Sequence, residues 1–201
     1  MLKKTQNLFV FAVFVIYLSP GTGQMPVTEE VFMENILNRT SVREFLPQDI
    51  DEAAVEQLLR SAMSAPSAGN RQPWEFVVIR NRDIREALAE QLPYAAMAAA
   101  APVVVAVCAD MRRTLPGESA MFWVQDTAAA TENLLLSAHA LGLGGVWVGI
   151  YPVHDRVKTA RKILKLPEYS IPLNIVPLGH PAVHNPPKQK FDRSRIHHEE
   201  W

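Results

Sequence analysis

The chain has 201 residues, 48% hydrophobic and 20% charged, with a formal net charge of −1. Such a length fits one domain on a scale of about 150 residues per domain, and the mixed, nearly balanced charge excludes a basic face built for nucleic acid. With a single cysteine, Cys108, an intrachain disulfide framework is excluded as well.

The first residues read differently from the rest. Lys3 and Lys4 precede an apolar stretch over 8–18, followed by Ser19-Pro20-Gly21-Thr22-Gly23, the basic, apolar, small-residue order of a cleavable export signal. The stretch is shorter than the roughly 20 residues of a membrane span. Residues 1–24 are therefore read as a signal cut near Gly23, giving a periplasmic or secreted protein with no stable membrane anchor. The competing reading takes Met25 as the true start of a cytoplasmic protein.

Residues 25–201 are predicted to form one domain in which helices and strands alternate. A short helix over 27–38 leads into Arg39. Asp51 is placed to N-cap a helix reaching Ser64, with Val55, Leu58, Leu59 and Ala62 at helical spacing. A strand over 75–80, a surface helix over 83–92 and a buried strand over 103–109 follow. Cys108 lies in that last apolar run and reads as packing rather than as a reactive thiol. A long helix is predicted over 118–141, alanine-rich at Ala128, Ala129 and Ala130 and ended by Gly142. Then come a strand over 145–151, a basic helix over 153–164, an apolar strand over 171–178 and a polar tail from Pro186. No repeat or linker divides the chain, and the class is α+β.

Two distant runs carry chemistry. Arg39-Thr40-Ser41-Val42-Arg43 and Arg193-Ser194-Arg195 offer guanidinium forks and small hydroxyls, which match the oxygens of a phosphate. Between them Pro66-Ser67-Ala68-Gly69-Asn70-Arg71-Gln72-Pro73-Trp74 supplies amides able to read the edge of a planar heterocycle; Trp74 itself reads as core. The glycines of 144–150 let backbone approach a flat ligand. Together these runs describe a phosphorylated, ring-bearing cofactor. Of the histidines only His180 and His184 are four apart, and Pro181 between them argues against a shared helix, so no metal is expected. No Gly-x-Gly-x-x-Gly opens a helix, which argues against a Rossmann dinucleotide site.

The ordered set of Arg39-x-Ser41-x-Arg43, the 66–74 run, Gly142-Leu143-Gly144, Leu178-Gly179-His180-Pro181 and Arg193-x-Arg195 resembles the nitroreductase family of FMN-dependent oxidoreductases. The resemblance implies a mixed, mostly antiparallel sheet flanked by helices, in a homodimer built on a long central helix, with the tail crossing to the partner. It implies Arg39, Thr40, Ser41, Arg193 and Arg195 around the FMN phosphate and Arg43 near the ribityl chain and pyrimidine side; a salt bridge to Glu44 or Asp49 is the other reading of Arg43. Asn70 would bond the pyrimidine edge, with Pro66 and Ser67 reaching the flavin from the other subunit. Gly179 would offer its N–H near the phosphate or ribityl chain, while the backbone N–H groups of Gly149 and Ile150 would face N5 and O4, the catalytic contact. Phe122 and Trp123 are candidates for the pocket mouth. The implied activity is hydride transfer from NADPH or NADH to FMN and on to a small-molecule oxidant, nitroaromatic or quinone-type, with ping-pong kinetics. A slow FMN-binding carrier or sensor, and a specialised relative such as a reductive dehalogenase, are the alternatives.

Overall fold

In the computed structural model residues 29–201 are described; the export-signal reading of residues 1–24 lies outside them. All eight residues of strand β2 (Val103–Asp110) are buried, which makes it the centre of the sheet. It pairs antiparallel on one side with β1 (Trp74–Ile79) and on the other with the ten-residue β5 (Ser170–Gly179). Two short strands, β3 (Gly144–Gly145) and β4 (Val148–Gly149), pair antiparallel with successive parts of β5 and form its outer edge.

Because side chains alternate across a strand, β2 feeds two cores. Val103, Val105 and Val107 face helices α2 (Glu52–Met63) and α4 (Trp123–Ala140), meeting Leu58, Leu134 and Ala138. Val104, Ala106 and Cys108 face α3 (Arg82–Gln91) and α5 (His154–Leu164), meeting Leu88 and Ala160. Each fully buried valine or leucine contributes about 1.5–3 kcal/mol over an exposed one. One polar seam crosses this packing: Asn174 Nδ2 donates to Thr131 Oγ1 (3.0 Å), and the Thr131 and Thr127 hydroxyls bond back along α4.

Local signals set most boundaries. Asp51 Oδ1 accepts from Ala54 N–H at the start of α2, Asn81 caps α3 in the same way, and Gly142 follows α4 with φ of 71°. The expected strand over 145–151 is instead split, because Val146 and Trp147 leave the regular pairing between β3 and β4. The expected helix over 118–141 starts with a 3-10 stretch, Gly117–Phe122, and becomes α-helical at Trp123. Met121 and Phe122 in that stretch are exposed, so no buried face draws the first turns into α geometry. The first described helix, α1 (Glu29–Asn38), touches α4, with Asn35 Nδ2 donating to Leu136 O (3.1 Å). Among the described residues no helix is long and apolar enough to cross a membrane.

Candidate cofactor site

The segment after α1 is pinned on both flanks. Ser41 forms a parallel bridge with Gly145, and Val42 N–H donates to Gly145 O (3.0 Å). On the other flank Thr40 Oγ1 donates to Asn185 O, Asn185 Nδ2 donates to Ser41 O, and Phe45 bridges Pro181. The chain leaving β5 thus holds the 39–46 segment against the sheet edge. This contact explains two glycines. A Cβ on Gly144 would lie 2.6 Å from Val42, and one on Gly179 would lie 2.7 Å from Phe45.

Arg39 lies mostly buried beside α4, its Nε 3.5 Å from Glu132 Oε1. It lines a cavity of about 190 Å³ together with Thr40, His139, Gly144, His184 and Asn185. Burial, then the charge of Arg39, then His184 hold His139 below its ordinary pKa, so it is neutral near pH 7. Arg43 is exposed and has no ion-pair partner among the described residues; Asp49 pairs instead with Arg80 at 3.0 Å.

On the same edge, Ile150 N–H donates to Leu173 O (3.0 Å) and Val146 N–H to Pro177 O (3.3 Å). In an antiparallel ladder alternate residues point their backbone groups outward, so Gly149, opposite Asn174, turns its N–H and C=O away from β5. The carbonyl accepts from Arg156 Nη1 (3.1 Å). A Cβ on Gly149 would meet nothing closer than Trp147 Nε1 at 4.0 Å, leaving open space above the strand for a flat group. Ile150, by contrast, is 1% exposed with its N–H committed to the sheet; the reading of its amide as a cofactor donor is corrected, and of the two only Gly149 has an N–H turned outward. Gly179 is buried opposite Gly144, and a Cβ there would strike Phe45. Trp123, read as a pocket-mouth residue, is 2% exposed and packs edge-on against Tyr151, with ring centroids 4.7 Å apart. Phe122 is exposed.

The 66–72 loop is a built object. Gly69, Asn70 and Gln72 all have positive φ, 56°, 53° and 48°. Ser67 Oγ accepts from Gln72 N–H (2.9 Å), Asp126 Oδ1 accepts from Ala68 N–H (2.8 Å), and Arg71 donates to Arg113 O and Thr114 O. Pro66 and Asn70 are exposed. Asp126 escaped the sequence reading; its only signal was a lone carboxylate in the first turn of the long apolar helix. Arg193 and Arg195 lie in an exposed 3-10 turn, where Arg195 Nε pairs with Asp192 Oδ2 at 3.1 Å. Within one chain they do not join Arg39 and Ser41.

This donor set fits a phosphorylated flavin: a phosphate-sized cavity beside a fixed arginine and a glycine edge free of a clashing Cβ. Among the described residues no cluster of three or more His, Cys, Asp or Glu could hold a metal ion.

The nitroreductase-family profile matches residues 36–93 and 89–180. A protein of Methanothermobacter thermautotrophicus, provisionally named an NADH dehydrogenase/NAD(P)H nitroreductase, is 43% identical over 170 residues, covering 84% of this chain and 87% of its own. A crystal structure from Parabacteroides distasonis with the same provisional name is 39% identical and superposes with a TM-score of 0.81, over 85% of this chain and 98% of that one. A third structure, from Desulfovibrio desulfuricans and solved in complex with FMN, is 28% identical with a TM-score of 0.73, over 87% and 99% of the two chains. With the profile spanning most of the sheet and both flanking layers, this chain belongs to the nitroreductase family.

Proposed function

We propose that this chain is an FMN-dependent NAD(P)H oxidoreductase that works as a homodimer and reduces nitroaromatic or quinone-type acceptors with ping-pong kinetics. The observation that carries the reading is the outward backbone of Gly149, open above and set on the same sheet edge as the pinned 39–43 segment. The similarity to the FMN-bound Desulfovibrio structure supports it.

When bound, FMN supplies the redox chemistry, receiving hydride from NADPH or NADH and giving two electrons to the acceptor. The chain contributes binding, orientation and charge. Arg39 and Ser41 hold the phosphate, with the guanidinium kept close by Glu132. His139, held neutral, adds no competing charge to the cavity. Arg43 places a fixed positive charge that favours electron-rich forms of the ring. Gly149 N–H is a donor that does not titrate, so its help is independent of pH. Phe32 and Leu37 on α1 are 58% and 66% exposed, and Phe191 and Trp201 in the tail are 80% and 101% exposed. Apolar surface of this extent favours a second copy. The tail arginines Arg193 and Arg195 then complete the phosphate site of the partner.

The test is the visible absorption spectrum of the purified chain with FMN, before and after NADPH or NADH is added without oxygen. The expected result is a flavin band that bleaches and returns on adding a nitroarene. A band that persists would place the chain among slow carriers, and no retained FMN would refute the reading.

A further inference from the structure

We propose that Asp126 and Arg71 are positioning residues that hold the 66–72 loop in the shape from which Asn70 reads the cofactor ring. The inference rests on the proposed function and extends it to groups outside the cofactor's own contacts.

Three positive-φ residues in a stretch of four make this loop a strained segment, and Gln72 in that region is disfavoured in any unconstrained chain. Strain persists only where the surroundings over-determine the backbone. Part of the restraint is internal: Asn70 N–H donates to Ser67 O, Gln72 N–H to Ser67 Oγ, and Gln72 Nε2 to Asn70 Oδ1 (3.0 Å). That last bond uses one acceptor site of the Asn70 amide oxygen and leaves its NH2 group without a hydrogen-bond partner among the described residues, able to donate to a ring acceptor. Internal bonds shape the loop but cannot place it on the protein.

Two side chains do the placing. Asp126, 6% exposed and in the first turn of α4, receives Ala68 N–H at 2.8 Å through its carboxylate. Arg71 reaches the other way, its Nε and Nη2 donating to Arg113 O (3.0 Å) and Thr114 O (3.1 Å). The loop is therefore clamped between α4 and the segment after β2, and each clamp lies on one side of Asn70. Neither side chain needs to touch the cofactor. Each acts by limiting where the Asn70 amide can be.

The experiment is a double-mutant cycle on the full chain, measuring FMN affinity and the midpoint potential of the bound flavin, with circular dichroism to verify folding. Asn70→Ala, Asp126→Ala and Arg71→Ala are each expected to weaken FMN binding about tenfold and to move the potential in the same direction. In the Asn70→Ala background the further loss from Asp126→Ala or Arg71→Ala is expected to fall below about twofold, because the group being positioned is gone. Asp126→Asn retains an acceptor oxygen and is expected to recover most of the affinity. If Asp126→Ala does not fold, the cycle is carried by Arg71→Ala with Asn70→Ala. Losses that remain full without the Asn70 amide would overturn the proposal, showing that the clamps act through the fold at large. An Asn70→Ala variant indistinguishable from the parent would overturn it too, while leaving the proposed function standing. A parent chain that binds no FMN would overturn both.

Discussion

Replacing Gly144 with alanine tests the central geometric claim, that the 39–46 segment is seated on the sheet by close contact at a glycine. The new Cβ would lie 2.6, 2.6 and 2.8 Å from Val42 Cβ, Cγ2 and Cγ1, against about 3.5–4.0 Å for a relaxed carbon contact. Rotating Val42 cannot relieve this, because its own Cβ is among the atoms struck. Its backbone is also held by the bond from Val42 N–H to Gly145 O. The segment must lift by about 1 Å. Overpacking of this kind costs about 1–3 kcal/mol, and weakening the backbone bond adds about 1 kcal/mol. Gly144→Ala should therefore lower unfolding free energy by about 2–4 kcal/mol, read as a reduced urea midpoint at unchanged slope. Since Arg39, Ser41 and Arg43 ride on the lifted segment, FMN affinity should fall by at least about tenfold. Adding Val42→Ala removes two of the three struck atoms, so the double variant should bind FMN better than Gly144→Ala alone. A Gly144→Ala chain within about 0.5 kcal/mol of the parent and with unchanged FMN affinity would refute the reasoning.

Two further outcomes follow from titrating groups. Burial, Arg39 and His184 hold His139 below its ordinary value, so on acidification the unfolded chain takes up this proton first. The stability owed to neutral His139 is full above about pH 6.5 and is lost as pH falls through the lowered folded value. Urea midpoints compared at about pH 7.5 and pH 5.5 should drop less for His139→Gln than for the parent; equal drops would show that another group governs the acid side. Burial also pushes the Cys108 thiol up to about 12, opposed in part by the nearby Ser170 hydroxyl. The sign is reversed here: the protonated thiol is favoured in the fold, so its contribution is full below the unfolded value and lost as pH rises toward 12. A disulfide reagent at about pH 8 should leave Cys108 untouched until denaturant is added, and rapid stoichiometric labelling of the native protein would contradict the buried placement.

Much of the fold was legible because local chemistry repeats local geometry. Asp51 announces the start of α2, Gly142 the end of α4, and the unbroken apolar run of β2 its central, doubly covered position. The ordered arginine, amide and glycine runs likewise pointed to one family.

What the chain alone determined was the inventory: which segments are helices and strands, and which residues are chemically able to hold a phosphate and a ring. The tertiary structure alone decided what several of them do. Gly144 and Gly179 are glycines because Val42 and Phe45, more than a hundred residues earlier, press against them. Gly149 faces outward while Ile150 spends its amide on Leu173, a distinction set by ladder register, in which one residue's shift reverses every direction. Asp126 acquired its role only when folding brought Ala68 N–H to within 2.8 Å. Periodicity reports a segment's own shape and face; contacts between segments far apart in the chain depend on how those faces meet, and no local pattern encodes that meeting.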